Sequence, residues 1–433
     1  MKKNLLFLFL VIALNSKSQT LYFPPVTGNT WDTISPATLG WCQPRIDTLY
    51  NFLESRNSKA FIVLKDGKIV LEKYFGTFTQ DSLWYWASAG KTITAVAVGI
   101  AQQEGLLNIN NLSSQYLGAG FSSAPLEKEN LITVRNQLSM TTGFDDGVAD
   151  NDCTLDTCLV YLADANTRWA YHNAPYTKLD GVVANATGLT FNQYVNQKIS
   201  IPIGMGGTFM QFGYNNVYIS KTRALARFGL LMLNRGSWNA TPILSDTTYF
   251  NQMTNTSQQL NKSYGYLWWL NGKESYMLPG SQIVFNGSAQ PNAPNDMYSA
   301  LGKNGQIINV VPSQNLVMVR IGNIPQSVFV PNYFNDEIWQ KFNQLNCSTT
   351  ETNNKSKNLI MLYPNPASKE LFLENLELNS TIEIYTTLGE LVYSDMNTSV
   401  NFRTNLEDKN PGLYLVKIKN GLNIQNLKFL LHK

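Results

Sequence analysis

The chain has 433 residues, of which 44% are hydrophobic and 15% are charged, and its formal net charge is +3. This composition is typical of a globular protein with a large buried core. No basic run is longer than Lys2-Lys3, so the strongly positive surface that nucleic-acid binding requires is missing, and we expect no nucleic-acid partner. Only two histidines occur, His172 and His432, too few for a histidine-rich zinc site. We therefore expect neither a metal nor a cofactor.

The N-terminus has the residue order of a secretory signal peptide. Lys2-Lys3 is followed by an apolar run over 5–14 and by small and polar residues over 15–18. We predict a signal peptide over 1–18 that is cleaved near Ser18. The apolar run is shorter than the roughly 20 residues that cross a bilayer, so we expect no membrane span in the mature chain.

Four cysteines make an even count in a chain that we expect to be exported, which favours disulfides over free thiols. We expect Cys153 and Cys158 to close a small loop. Cys42 and Cys347 flank the larger part of the chain, and their pairing would close a very long loop, worth on the order of 5 kcal/mol in the chain-entropy description.

The elements of the first 347 residues begin and end with β-rich segments. Two runs over 59–75, joined by Asp66-Gly67, predict a hairpin, and a second hairpin is predicted over 306–321. Helical patterns lie between and after these hairpins, over 91–104, 133–140, 222–234 and about 335–345. We predict one α/β (α+β) domain over 19–347, in which an antiparallel sheet is flanked by helices and carries a helical insertion.

The following segment marks a domain boundary. Residues 348–357 contain no apolar side chain, which is typical of a solvated linker. From 358 to 433 the pattern changes to short alternating segments separated by turn residues, which predicts a small β-sandwich. The predicted strands lie at 371–376, 381–386, 390–394, 399–406, 412–419 and 427–431.

A serine and a lysine three residues apart are the first candidates for chemistry. Ser88-Ala89-Gly90-Lys91 is the only SxxK sequence in the chain, and it opens a strongly apolar helical segment. At this spacing the hydroxyl and the amine share one helical face, and burial disfavours the ammonium form, so that Lys91 can accept the Ser88 proton. The helix start also offers backbone N–H groups to a developing anion.

Tyr171-His172-Asn173 is the second candidate. In an extended segment Tyr171 and Asn173 lie on the same side, where a phenol near an ammonium group ionises more easily and serves as a general base. Asn173 can then orient Lys91 or a substrate amide. His172 points away, and we interpret it as a hydrogen-bonded structural histidine.

The third candidate is Lys303-Asn304-Gly305-Gln306, just before the second hairpin. Gly305 would let a substrate backbone approach a strand edge, and Lys303 would add positive charge. The N–H of Gln306 would complete an oxyanion hole with the N–H of Ser88. The alternative is a glycine-containing turn with an exposed lysine.

In this order the three motifs resemble the serine β-lactamase and penicillin-binding-protein superfamily. The branch with the best likeness contains class C β-lactamases, D-alanyl-D-alanine carboxypeptidases, related esterases and 6-aminohexanoate-dimer hydrolase. The resemblance covers most of 45–345, and stretches at 132–144, 201–205, 226–238 and 264–270 support it. It implies an acylated Ser88, a proton-transfer pair of Lys91 and Tyr171, a supporting Asn173, and an oxyanion hole formed by the N–H groups of Ser88 and Gln306.

The sequence departs from the motifs of this superfamily at two places, which disfavours some of its members. The Ser-Asp-Asn tripeptide expected of class A β-lactamases is absent from the sequence. The third motif has Asn304 in place of the threonine of Lys-Thr-Gly, so the hydroxyl that helps to hold a β-lactam or D-alanine carboxylate is missing. The aromatic segment at 264–270 either walls an acyl site or, as we expect, belongs to the core.

The C-terminal segment has a resemblance of its own. The stretches at 363–367, 384–389 and 412–418 resemble the C-terminal sorting domain of the type IX secretion system of Bacteroidetes. This implies export across the outer membrane by that machinery, with removal of the domain. The alternative is an adhesive or carbohydrate-binding β-sandwich, for which the segment offers few aromatic side chains.

The sequence therefore predicts a secreted or surface-attached serine hydrolase that cleaves a small or peptide-like amide or ester through an acyl-enzyme on Ser88. The alternative enzymes are a D-alanyl-D-alanine carboxypeptidase and a class C-like β-lactamase. An alternative of another class is a non-catalytic surface binding protein that keeps the fold.

Overall fold

The structure is a computed structural model that describes residues 21–325, 329–347, 360–387, 389–421 and 423–432. The predicted signal peptide and the predicted linker over 348–357 lie outside these residues. The chain forms two compact units, Met1–Gly280 with Val284–Cys347, and Ser348–Lys433 with Ser281–Ile283. No helix within the described ranges is both long and apolar enough to cross a membrane.

The α-helices lie in the first unit. They are α1 Gln43–Ser55, α2 Lys91–Gln103, α3 Ser114–Leu117, α4 Leu126–Glu129, α5 Val134–Ser139, α6 Asn173–Thr187, α7 Phe191–Val195, α8 Ile201–Ile203, α9 Thr222–Leu233, α10 Thr247–Met253 and α11 Asn332–Phe342. The strands of the first unit are β1 Ser58–Lys65, β2 Lys68–Tyr74, β3 Leu83–Tyr85, β4 Thr208–Phe212, β5 Asn215–Lys221, β6 Ser237–Trp238, β7 Thr241–Pro242, β8 Trp269–Leu270, β9 Ser275–Tyr276, β10 Phe285–Asn286, β11 Tyr298–Gly302, β12 Gln306–Val311 and β13 Leu316–Gly322. The strands of the second unit are β14 Met361–Tyr363, β15 Glu370–Glu374, β16 Thr381–Thr386, β17 Leu391–Met396, β18 Phe402–Asn405, β19 Gly412–Asn420 and β20 Asn423–Leu431.

A six-stranded antiparallel sheet forms the centre of the first unit, with the strand order β2-β1-β13-β12-β11-β8. Both predicted hairpins are confirmed, β1–β2 around Asp66-Gly67 and β12–β13 around the turn Pro312–Gln314. The two hairpins pair with each other through β1 and β13, so segments more than 200 residues apart become neighbours. The predicted antiparallel sheet with flanking helices is therefore confirmed.

Two buried helices and a small sheet border the region of Ser88. α2 packs against α6, and its residues from Lys91 to Ala101 are buried, as its apolar sequence predicts. A three-stranded sheet, β3-β5-β4, lies beside the start of α2, and its strand β5 also contacts α6. These elements come from distant parts of the chain and meet at one place.

Both expected disulfides are present. Cys42, which precedes α1, pairs with Cys347 at the end of the unit, with a Cα–Cα distance of 5.7 Å. Cys153 pairs with Cys158 within the segment 145–167, with a Cα–Cα distance of 5.8 Å. The first disulfide ties the two ends of the unit together, and the second closes a small loop beside the region of Ser88.

The second unit contains two antiparallel sheets, β14-β15-β18 and β17-β16-β19-β20. Alternate residues of β15, β16 and β19 point into a shared apolar core, which explains why the period-2 pattern located these strands. The fully buried members include Leu371, Leu373, Ile382, Ile384, Val416 and Phe429. The small β domain predicted for the C-terminal segment is therefore confirmed.

Candidate active site

Ser88 lies on a short 3-10 turn, Ala87–Gly90, that leads directly into α2. Lys91 is the first residue of α2, and its Nζ lies 3.0 Å from Ser88 Oγ in hydrogen-bonding geometry. The i to i+3 spacing predicted this contact, because three residues complete one turn of a 3-10 helix. The hydroxyl and the amine are therefore paired before any substrate arrives.

The backbone around Ser88 is held in an unusual conformation. Ala87 has φ 48°, a left-handed value that a side chain with a Cβ rarely adopts. Gly302, at the end of β11, packs so closely on this turn that a Cβ there would collide with the Trp86 carbonyl oxygen and lie 2.9 Å from Ala89 N. The end of β11 thus borders the turn that carries Ser88.

Burial lowers the pKa of Lys91 to about 7, although the charges of Asp152 and Asp180 oppose this shift. Only 3% of the Lys91 surface is exposed. Its Nζ lies 5.2 Å from the centre of the Tyr171 ring and 4.1 Å from the centre of the Tyr176 ring. Near neutral pH, a substantial fraction of Lys91 is thus an unprotonated amine that can accept a proton.

Tyr171 is close to Ser88, but its electrostatics differ from the expectation. Burial raises the pKa of the Tyr171 phenol, and a hydrogen bond with Ser88 opposes this only in part. The prediction that a nearby ammonium group eases its ionisation is therefore wrong, because desolvation of the phenolate dominates. A neutral Tyr171 can hold and pass on a proton, while Lys91 is the better resting base.

Aromatic side chains fix the Tyr171 ring. The Trp269 ring lies 5.5 Å from it in a tilted arrangement, and Tyr264 contacts it edge-on at 6.3 Å. Trp169 completes the cluster. Tyr264 and Trp269 are buried, so the interpretation of 264–270 as core is correct. The segment supports the site by restricting the position of the phenol.

The extended conformation predicted for Tyr171-His172-Asn173 is found at His172, which has φ −108° and ψ 119°, but it does not continue to Asn173. His172 is the N-cap of α6 and Asn173 is its first residue. The Asn173 amide donates a hydrogen bond to Asp152 Oδ1 at 2.6 Å, and Asn173 Oδ1 is buried without a hydrogen-bond partner among the described residues. Asn173 therefore anchors the segment that contains Cys153 and Cys158, rather than holding Lys91 through its amide N–H.

His172 is buried, but the hydrogen bonds expected of a structural histidine are absent. Neither ring nitrogen has a partner among the residues that the structure describes. Burial lowers the pKa of His172 to about 4, against the opposing charges of Asp146, Asp145 and Asp152. The histidine is accordingly neutral at physiological pH.

The backbone N–H of Gln306 stays a candidate for the oxyanion hole, whereas the side chain of Gln306 has a structural role. The residue opens β12, which lies between β11 and β13, and its side chain is fully buried. The amide donates to the carbonyl oxygens of Lys303 and Gly322, and its oxygen accepts from Gly322 N. The residue that packs on the Ser88 turn is Gly302, four positions earlier.

The turn Lys303–Gly305 also differs from its predicted role. Gly305 has φ 89°, and a Cβ there would collide with the guanidinium of Arg320, so this glycine makes room for a buried arginine rather than for a substrate. Asn304 donates to the Tyr85 hydroxyl at 2.9 Å. Lys303 is exposed, and its Nζ lies 5.6 Å from the centre of the Phe329 ring.

Sequence reasoning missed two residues of the site, Tyr176 and Asp180. Both lie on α6, four residues apart and therefore on one face of the helix. Burial raises the pKa of Asp180 to about 7, while its hydrogen bond from Asn216 and the charge of Lys91 oppose this. Pro175 in the first turn and Gly188 at the end were the signals for a helix here.

No group of three or more His, Cys, Asp or Glu side chains that could hold a metal ion is found in the described parts of the chain.

Residues 50–338 match the family model described as beta-lactamase, so the chain belongs to the beta-lactamase family of serine hydrolases. Residues 361–432 match a second model, the secretion system C-terminal sorting domain. This match points to secretion and to a location at the cell surface or outer membrane.

Individual relatives are distant. An uncharacterized protein of Alkalihalophilus pseudofirmus is 25% identical over 300 residues, which cover 60% of this chain and 82% of that protein. A Bacillus anthracis protein assigned as a 6-aminohexanoate-dimer hydrolase has a similar structure, with a TM-score of 0.55, 17% identity, and coverage of 73% of this chain and 89% of that chain. A family VIII carboxylesterase gives a TM-score of 0.53 and 16% identity over 71% of this chain and 99% of that chain. These structures share the fold.

Proposed function

We propose that this protein is a secreted serine hydrolase that cleaves an amide or ester bond through an acyl-enzyme on Ser88. The observation that carries the proposal is the 3.0 Å contact between Ser88 Oγ and the buried amine of Lys91, whose pKa is lowered to about 7. A weakly nucleophilic hydroxyl needs such a base, and His172 does not supply it, because neither of its ring nitrogens has a hydrogen bond to any described residue.

In the proposed acylation, Ser88 Oγ attacks the carbonyl carbon while its proton passes to Lys91 Nζ. The Tyr171 hydroxyl gives its proton to the leaving nitrogen or oxygen, and Lys91 returns a proton to Tyr171. The acyl group is then bonded to Ser88 Oγ, and Lys91 is again a neutral amine. Water releases the acid in a second step with the same proton transfers.

The negative oxygen that develops on the substrate needs N–H donors on the side of Ser88. We propose the backbone N–H of Ser88 and a backbone N–H at the end of β11, beside Gly302. The close packing of Gly302 on the Ser88 turn supports this choice over Gln306. A substrate backbone could align along β11 beyond Ser299, where β8 no longer pairs with it.

The motif Lys303-Asn304-Gly305 suits linear amides and esters better than β-lactams. Asn304 replaces the threonine hydroxyl that would help to bind a carboxylate, and its amide already donates to Tyr85. Two structurally similar proteins are named as a carboxylesterase and a 6-aminohexanoate-dimer hydrolase, which is consistent with this preference.

Turnover of three substrates tests the proposal: a short-chain ester, a linear amide and a chromogenic cephalosporin. The mature full chain is compared with Ser88→Ala and with the control Ser82→Ala, whose hydroxyl accepts a bond from Thr79 N. We expect Ser88-dependent turnover of the ester or amide, with the cephalosporin the slowest. Equal turnover by wild type and Ser88→Ala would contradict the proposal, and a folded protein without turnover or covalent labelling would favour the binding-protein alternative.

We infer that export proceeds through the predicted signal peptide over 1–18 and then the type IX machinery of Bacteroidetes. The sorting-domain match over 361–432 and the two disulfides support this route. In a host with that machinery, removal of 361–432 should leave the enzyme inside the outer membrane. Unchanged secretion of the truncated chain would contradict the inference.

A further inference from the structure

A carboxyl group beside the candidate site has no role in the proton transfers described above. Asp180 lies on α6, two turns after the helix start. Its Oδ2 accepts a hydrogen bond from Asn216 Nδ2 at 2.7 Å. Its Oδ1 is shielded from solvent and has no hydrogen-bond partner among the described residues. An unpaired carboxylate oxygen in the interior is costly, and an apolar residue would fill the place at lower cost.

Three elements meet around this carboxyl group. α6 packs against α2, which begins with Lys91, and against β5, which contains Asn216. Tyr176 lies one turn before Asp180 on the same helix face, and its ring contacts Lys91 Nζ at 4.1 Å. Asp180 thus lies on the same helix face as the tyrosine whose ring contacts the catalytic amine.

The two groups influence each other electrostatically. The negative charge of Asp180 raises the pKa of Lys91, and the positive charge of Lys91 lowers the pKa of Asp180, while burial acts more strongly on both in the opposite directions. The other charged group that acts on Lys91 is Asp152, whose Oδ1 is occupied by the Asn173 amide. Of the two, Asp180 is the carboxylate with a buried oxygen that has no hydrogen-bond partner among the described residues, and it is carried by a long helix.

We propose that Asp180 is a positioning residue that stabilises the ammonium form of Lys91 produced when Ser88 is acylated. The inference rests on the proposed function. The proton that leaves Ser88 resides on Lys91 Nζ during acylation, and the positive charge there favours the ionised form of Asp180. Asn216 keeps this carboxylate oriented and favours its ionised form by donating to Oδ2.

The test is the pH dependence of Ser88 labelling by a fluorophosphonate, whose fluoride is displaced from phosphorus by Ser88 Oγ. The rate constant is measured for the mature full chain, Asp180→Asn and the control Asp47→Asn. Asp47 is on the exposed surface of α1. The amide oxygen of Asp180→Asn can still accept the bond from Asn216, so the fold should be retained.

For wild type and for Asp47→Asn, we expect labelling to rise with pH through about 7, as Lys91 loses its proton. Loss of the negative charge destabilises the ammonium group, so in Asp180→Asn the midpoint of this rise should fall by about half a pH unit or more. The limiting rate should also fall, because the ammonium group that forms is less stable. Asp180→Glu, which keeps the charge, should restore the midpoint toward the wild-type value.

Asn216→Leu provides a second variant. It removes the hydrogen bond that favours the Asp180 carboxylate, so the labelling midpoint should move in the same direction as in Asp180→Asn. Coincident midpoints for wild type, Asp180→Asn and Asn216→Leu would overturn this inference alone. A folded wild type that is not labelled at Ser88 would overturn the proposed function and this inference with it.

Discussion

The two units of the chain differ in whether charged side chains are buried. In the second unit the ion pairs lie at the surface, as between Arg403 and Glu370, and the buried polar residues are neutral, for example Thr404. In the first unit, charged side chains are buried, among them Lys91 and Arg320. A buried charge requires compensation, so the two units differ in how strongly single polar residues should matter.

Two buried basic side chains of the first unit, Arg320 and Lys91, differ in how completely they are hydrogen-bonded. Each guanidinium nitrogen of Arg320 donates a hydrogen bond, and the acceptors are Ser58 Oγ and the carbonyl oxygens of Arg56, Asn304 and Gly305. Within the described part of the chain, Lys91 has one hydrogen-bonding contact, with Ser88 Oγ. Complete hydrogen bonding fixes a charge in place, whereas an incompletely bonded amine remains available to take up a proton.

The largest effect should follow removal of the Lys91 amine. Lys91→Met keeps the length of the side chain but removes the proton acceptor, so fluorophosphonate labelling of Ser88 should fall on the order of 10³-fold or more. The matched control is Lys419→Met in the second unit, where the lysine pairs with Glu383 at the surface, and its labelling rate should equal that of wild type. Near-normal labelling of Lys91→Met would refute the role of the amine.

Tyr171→Phe should have the next largest effect. The ring and its packing on Trp269 are kept, but the hydroxyl that bonds Ser88 is lost. Ester turnover should fall roughly 10²-fold or more, within the range typical of general acid–base groups. Tyr393→Phe in the second unit should have no effect on turnover. A loss smaller than about tenfold for Tyr171→Phe would argue against proton transfer by this phenol.

The two histidines extend the comparison to acid stability, because one lies in each unit. The folded-state pKa of His172 is about 4, below the unfolded value of about 6.5, so the unfolded chain binds more protons between these values. The contribution of His172 to the free energy of unfolding of the first unit is therefore fully present above pH 6.5. It is lost as the pH falls toward 4, and the loss is about 3 kcal/mol in total.

His172→Phe removes this titration and should reduce the loss of stability between pH 6.5 and 4 by that amount, measured from thermal and chemical unfolding of the first unit. The control His432→Gln changes an exposed residue of the second unit and should retain the wild-type pH dependence. Equal acid sensitivity of His172→Phe and wild type would show that another group causes the loss.

The smallest effect is expected for a surface ion pair of the second unit. Glu370→Gln removes the partner of Arg403, but both side chains are accessible to water. The free energy of unfolding should change by about 1 kcal/mol or less. A larger loss of unfolding free energy would mean that single charged residues also matter strongly in the second unit, contrary to the difference in burial.

Much of the fold could be predicted from the sequence, because the turns and helix ends are marked by residues close to them in the chain. Asp66-Gly67 and the turn before Leu316 lie between β-rich runs, and glycines closely follow several of the predicted helices. Ser88 and Lys91 were found for the same reason, since one helical turn brings them together whatever surrounds it. The alternation of the second unit likewise identified its strands.

Residues whose position depends on distant pairing could not be assigned from sequence. Gln306 and Gly302 lie on opposite sides of one turn, and only the order of β11, β12 and β13 decides which of them borders Ser88. The start of α6 was misassigned because Tyr171-His172-Asn173 has no strong helical propensity. Asp180 was missed for a different reason. Its relation to Lys91 depends on the packing of α6 on α2, which a local sequence pattern does not show.

The central claim is that Ser88 is an activated nucleophile. Its most direct test is the intact mass of the mature full chain after incubation with a fluorophosphonate, beside Ser88→Ala, with the modified peptide identified by mass spectrometry. We predict one adduct on wild type, located at Ser88, and none on the variant. An unmodified but folded wild type, or equal labelling of both proteins, would contradict the account.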